Sequence, residues 1–155
     1  MKTINEWLSD YGESHQDETN KTIHWICVPV IFFTIVGLLY SIKLPLYLAK
    51  GIDLNAAMIM IVLVTIYYAS MSKTIWIGML SFGILCLVIC YLAERYLPFP
   101  LWVTSLVLFA LAWIGQFYGH KVEGKKPSFL KDLQFLLIGP MWLMSFIYKK
   151  LGIGY

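Results

Sequence analysis

Charge is scarce in this chain. Asp, Glu, Lys and Arg make up 14% of its 155 residues against 59% hydrophobic ones, where a soluble domain carries about 25% charge. Mean hydropathy is +0.71. That shortage excludes an ordinary soluble domain and points to an integral membrane protein, a single membrane domain over 1–155. Cysteine is also scarce: Cys27, Cys86 and Cys90 all lie inside apolar runs, where a free thiol behaves as a small hydrophobe. No disulfide framework and no CxxC metal pair is expected. The first 24 residues hold Glu6, Asp10, Glu13, Asp17 and Glu18 and lack the basic start and short apolar core of a cleavable signal peptide. A glycine-rich nucleotide loop and a haem-attachment motif are both missing, and no nucleic-acid partner is expected. Only three histidines are present, at 15, 24 and 120.

Long apolar runs are what the sequence has in quantity. A bilayer core about 30 Å thick takes about 20 helical residues, and four runs approach that length: 25–40, 54–71, 75–93 and 99–118. The first is slightly short, and "SIKLPLYLAKG" continues it as an extended or interfacial segment with Lys43 snorkelling. The short "SKT" at 72–74 joins the second and third runs as an antiparallel hairpin. A fifth run, 129–148, contains Gly139-Pro140. Proline in mid-helix removes a donor and clashes with the preceding turn, so this run reads as two short helices lying on or re-entering the membrane; a fifth span is the competing reading. The expected fold is all-α: an N-terminal segment 1–24, a bundle of four transmembrane helices over 25–118, and a C-terminal segment 119–155 with an interfacial or re-entrant helix pair.

Lysine sets the expected orientation, because cytoplasmic loops carry the basic excess. With four spans, one side holds Lys2, Lys21, Lys73, Lys121, Lys125, Lys126, Lys131, Lys149 and Lys150, nine basic residues, against three, Lys43, Lys50 and Arg95, on the other. Both termini are therefore expected in the cytoplasm. An even number of spans also carries His15, His24 and His120 to one membrane face. Three imidazoles converging at one interface are a candidate metal site, since neutral imidazole suits Fe, Zn, Cu and Ni.

Helical spacing adds partners and one constraint. Asn20 and His24 are four apart, as are Gln116 and His120, so each histidine gains an amide neighbour on its own face, of the kind that orients metal ligands or touches a bound ligand. His15 and His24 are nine apart, about 900° of helix, and share one ion only if the chain bends between them. Glu123, three residues beyond His120, is either a carboxylate ligand or base, or a solvated charge in a lysine-rich loop.

Two blocks, "HQDETNKTIHWICVP" and "WIGQFYGHKVEGKKPSFLKDLQFLLIGP", resemble the integral-membrane 2-hydroxy fatty acid dioxygenases of fatty acid α-oxidation. His15, Asn20, His24 and Pro29 match the first block of that family, and Gln116, Phe117, Gly119, His120, Glu123, Pro127 and Pro140 match the second. Order, spacing and hydropathy agree over nearly the whole chain. Some members carry an additional histidine where this chain has Gln16, and an acidic residue where it reads "MWLMSF", so neither position supplies an obligatory ligand here.

The resemblance implies Fe2+ as cofactor and conversion of a 2-hydroxy fatty acid with O2 to the acid one carbon shorter, the substrate supplying all four electrons. It implies His15, His24 and His120 as the metal set, or two of them with Glu123, and Asn20 and Gln116 as groups that hydrogen-bond ligands or substrate. A 2-hydroxy carboxylate would chelate the iron through its carboxylate and hydroxyl. Membrane lipid is the expected surrounding, and the membrane is a bacterial inner membrane or the endoplasmic reticulum, with the site on the cytoplasmic face. The alternative of another class is a structural or regulatory membrane protein built on a structural zinc. Di-iron desaturases are excluded because their motifs need about eight histidines. A transporter is disfavoured by polar content of the runs that goes little beyond Asn55, Thr65 and Thr104.

Overall fold

Side-chain caps start three of the six described helices. Thr3 and Glu6 form a reciprocal capping box that opens α1 (Ile4–Gly12). Asp17 accepts from the backbone N–H groups of Thr19 and Asn20 at the start of α2 (Glu18–Tyr40). Beyond α2 come strands β1 (Lys43–Ala49) and β2 (Ile52–Asn55). Asn55 then caps α3 (Ala56–Met71), which the Ser72–Thr74 turn joins to α4 (Ile75–Tyr96). The order closes with α5 (Leu101–Val122) and α6 (Ile138–Lys150). The computed structural model describes residues 2–49, 51–124 and 135–155.

The all-α expectation is corrected at Lys43–Ala49 and Ile52–Asn55, which pair as an antiparallel two-stranded hairpin. Pro45 cannot donate a backbone hydrogen bond and keeps Leu44 out of the helical region. Gly51 turns the chain at φ +80°, a conformation natural to glycine. The expected break near Gly139-Pro140 is where α6 begins, directly after a turn at 135–137. Pro140 is the third residue of α6, within the first turn, where a missing N–H costs no intrahelical bond. Lys125, Lys126, Pro127, Ser128, Lys131 and Asp132, with the first part of the expected helix pair, lie outside the described residues.

Three helices, α2, α4 and α5, are long and apolar enough to cross a membrane. With 16 residues, α3 is about 24 Å long, short of the bilayer core. Its direction is nonetheless clear from its neighbours. Tyr68, near its C-terminal end, donates its hydroxyl proton to the Leu137 carbonyl at 2.7 Å, just ahead of α6. Tyr148 of α6 bridges the first turn of α4: its hydroxyl donates to the Thr74 carbonyl and accepts from the Gly78 N–H, each at 3.0 Å. Leu8, Tyr11, Val28, Tyr68, Ile75, Met79 and Trp142 share one buried cluster with α6. One end of the bundle therefore gathers α1, the start of α2, the 72–74 turn and α6, while the β-hairpin caps the other.

Candidate metal centre

The bend demanded by His15 and His24 exists. α1 stops at Gly12 and α2 begins at Glu18, so His15 sits in the link between two helices and folds back over the first turns of α2. His120 arrives from α5, which runs antiparallel beside α2. The two helices approach closely because α5 presents glycine: a Cβ on Gly115 would lie 2.7 Å from Cys27 Sγ, and one on Gly119 would overlap Asn20 Oδ1. Small residues four apart permit this backbone proximity.

His15, His24 and His120 are 3%, 1% and 5% exposed, and each offers a ring nitrogen within 4.8 Å of those of the other two. Ring centroids are separated by 4.2 Å (His15–His24), 5.0 Å (His24–His120) and 5.5 Å (His15–His120). Nδ1 of His15 lies 2.6 Å from the Tyr11 carbonyl, and Nδ1 of His24 lies 2.9 Å from the Asn20 carbonyl. A carbonyl only accepts, so both Nδ1 atoms carry the proton and Nε2 becomes the acceptor nitrogen of each ring. This is how metal-binding histidines are held, with the second nitrogen donating to a carbonyl or carboxylate. Tyr11 stacks on His15 with centroids 4.3 Å apart and planes 11° from parallel, and Trp142 lies 5.4 Å from the same ring.

The expected amide partners are present, in different roles. It is the backbone carbonyl of Asn20, not its side chain, that orients His24. The Asn20 side chain is fully buried and donates to the Ser14 carbonyl and to Glu123 Oε2, each at 3.1 Å. Both donors thus meet acceptors, which fixes the amide orientation and turns Oδ1 toward Gly119, where it has no hydrogen-bond partner among the described residues. Glu123 Oε1 accepts from the Gln16 N–H and Oε2 from the Asp17 N–H, both at 2.9 Å. Burial opposes ionisation of Glu123, but these backbone bonds, the Asn20 amide and nearby His15 prevail and hold its carboxyl below the usual carboxylate range. Glu123 ties the end of α5 to the His15 link. Gln116, 6% exposed, makes no hydrogen bond to a described residue and lines a small cavity beside His24.

Three imidazoles, two of them with the tautomer fixed by a backbone carbonyl, form a donor set for a borderline transition metal such as Fe(II) or Zn(II). Among the described residues no carboxylate or thiolate completes the group. Tyr11, Trp142, Asp17 and Gly115 are parts of the site that sequence reading missed, and Gly119, named there only as a matching residue, proves to be a close-approach position. Asp17 ahead of "ETNK" is a legible helix cap, and GxxxG is a legible close-approach signal. Tyr11 and Trp142 carry no such signal, because only tertiary packing brings them to His15.

A family model described as "2-hydroxy-palmitic acid dioxygenase Mpo1-like" matches residues 1–151. A relative from Saccharomyces cerevisiae, named 2-hydroxy-palmitic acid dioxygenase MPO1, is 31% identical over 147 residues, covering 94% of this chain and 79% of the yeast protein. No solved structure matches the chain. The match extends over both halves of the histidine cluster and the helices that carry them, and the chain belongs to the Mpo1-like family.

Proposed function

We propose that this protein is an Fe(II)-dependent dioxygenase that shortens long-chain 2-hydroxy fatty acids by one carbon. The balance is RCH(OH)COOH + O2 giving RCOOH + CO2 + H2O, which needs no external reductant. The convergence of His15, His24 and His120 in one buried cluster is the observation that carries this reading. Fe(II) held there would supply the one-electron chemistry that O2 requires, and three protein donors leave positions for the 2-hydroxy acid and O2. A structural zinc site closes with four protein ligands, so three histidines with a cavity beside them favour catalysis over the structural alternative.

The chain's own groups then have distinct tasks. Tyr11 and Asn20 carbonyls fix the imidazole tautomers. Glu123 and the Asn20 amide act as positioning groups that lock the link carrying His15, and the Tyr11 and Trp142 rings shield it from water. On the supply side, α2, α4 and α5 cross the bilayer and α3 makes a shorter fourth crossing, with both termini and the site on the cytoplasmic face of a bacterial inner membrane or the endoplasmic reticulum. The lysine excess at that face attracts the substrate carboxylate while the acyl chain stays in lipid.

Metal analysis of the purified protein, with anaerobic Fe(II) loading and O2 uptake on 2-hydroxypalmitic acid, tests the reading. About one iron per chain and a product one carbon shorter are expected. His24→Ala and His120→Ala should each lose metal and turnover while still inserting into membranes. Tightly held zinc with no O2 uptake would overturn the proposal.

A further inference from the structure

Beside His24 lies a cavity of about 20 Å³ lined by His24, Tyr11 and Gln116 on one side and by Val28, Ile31, Trp113 and Leu136 on the other. Its size decides what enters. A single water needs roughly 10–15 Å³ of such space, so the cavity takes one small molecule of one or two heavy atoms. The head of a 2-hydroxy acid, with two carbons and three oxygens, does not fit.

Its lining selects further. Val28 and Ile31 continue the stripe that starts at His24, at i+4 and i+7 on α2. Trp113 precedes Gln116 by three on antiparallel α5. Both stripes lead from the histidines toward the bilayer interior, so the cavity has an apolar wall on the membrane side and polar groups at its metal-facing end. Among those polar groups the Gln116 side chain lines the space, its residue 6% exposed. An amide so placed offers its N–H groups to a small molecule that occupies the cavity.

We propose that this cavity is the dioxygen subsite, with the Gln116 side-chain amide as the hydrogen-bond donor to O2, and that the 2-hydroxy acid reaches the histidines from a different direction. This rests on the dioxygenase reading and adds to it where the smaller substrate sits and which residue recognises it. O2 is apolar enough to arrive through the bilayer past Val28 and Ile31, and accepts a hydrogen bond as charge develops on it.

The test uses the full-length Fe(II)-loaded protein in detergent with nitric oxide as the diatomic probe, followed by its spin signal under anaerobic conditions, together with separate KM values for O2 and 2-hydroxypalmitate. Gln116→Leu removes the donor at similar volume and should weaken nitric oxide binding and raise KM for O2, each about threefold to tenfold, the worth of one hydrogen bond. KM for the acid should stay within about twofold. Val28→Ile adds one carbon to the cavity wall with every polar group kept, and should give the same split, which also covers failure of the first variant to fold. Raised KM for the acid with KM for O2 unchanged would assign the cavity to the acid and overturn the subsite; so would two unchanged KM values with unchanged nitric oxide binding. Wild-type protein that binds no nitric oxide and consumes no O2 would instead refute the dioxygenase reading itself.

Discussion

Replacing Gly119 with alanine tests how the histidines are brought together. The added Cβ would stand 3.4 Å from both Asn20 Cγ and Ile23 Cγ2 and would overlap Asn20 Oδ1. Carbon contacts relax near 3.5–4.0 Å, so Asn20 or α2 must give by on the order of 1 Å. Neither has much freedom, because the Asn20 amide is pinned by Ser14 and Glu123. Alanine gains about 1 kcal/mol of helix propensity over glycine, whereas overpacking costs about 1–3 kcal/mol and a disrupted buried amide about 1–3 kcal/mol more. The net loss is about 1–5 kcal/mol. Metal binding should suffer more specifically: ligand distances tolerate about 0.2 Å, and groups that orient ligands are worth about 10–100-fold in affinity. Chelator competition with Zn(II) or Fe(II) should therefore show Gly119→Ala binding at least about tenfold more weakly. Gly83→Ala is the comparator, since its Cβ would press on Ile61 at 3.2 Å between α3 and α4, away from the histidines. It should lower thermal stability with affinity intact. Wild-type metal affinity in Gly119→Ala would refute the argument that glycine spacing sets the site.

The remaining expectations are simpler. Glu123→Gln keeps the shape of the link's anchor and removes its charge, which should cost about 1–2 kcal/mol of stability at neutral pH, reduced by partial exposure. Because the folded-state pKa of Glu123 is lowered, its contribution is complete above the unfolded value of about 4.3 and fades as pH falls through the lower folded value; thermal melts from pH 6 downward should show that component in the wild type and not in Glu123→Gln. Single cysteines at Glu13 and Lys149, both exposed, should react with a membrane-impermeant thiol reagent from one side, and one at Tyr47, 81% exposed on the hairpin, from the other. Glu13 and Lys149 on opposite sides would break the topology.

Hydropathy made the helices legible because burial in lipid constrains residue type at every position of a span. α4 ends three residues beyond its apolar run, and α5 starts two residues inside its run and ends four residues beyond it. It could not reveal that α2 begins at Glu18, since those first turns cross the interface and are polar; there the Asp17 cap was the informative residue. The hairpin escaped for a related reason: "KLPLYLA" is apolar in either conformation, and Pro45 with Gly51 decides between them. At the site, the histidines were legible from their scarcity and from their places beside the ends of long apolar runs. Glu123 was not, because only the fold shows that both its oxygens are taken up by the backbone of a segment more than 100 residues away.

That last contact has a consequence for biosynthesis. His15 and His24 leave the ribosome early, yet the third imidazole and the carboxylate that fastens the His15 link are made only with the last turn of α5. Until then the growing chain offers two histidines on an untethered segment, a weak and unselective pair of donors. Under the proposed metal assignment, high-affinity capture becomes possible only once α5 has packed against α2, and loading would report completed insertion.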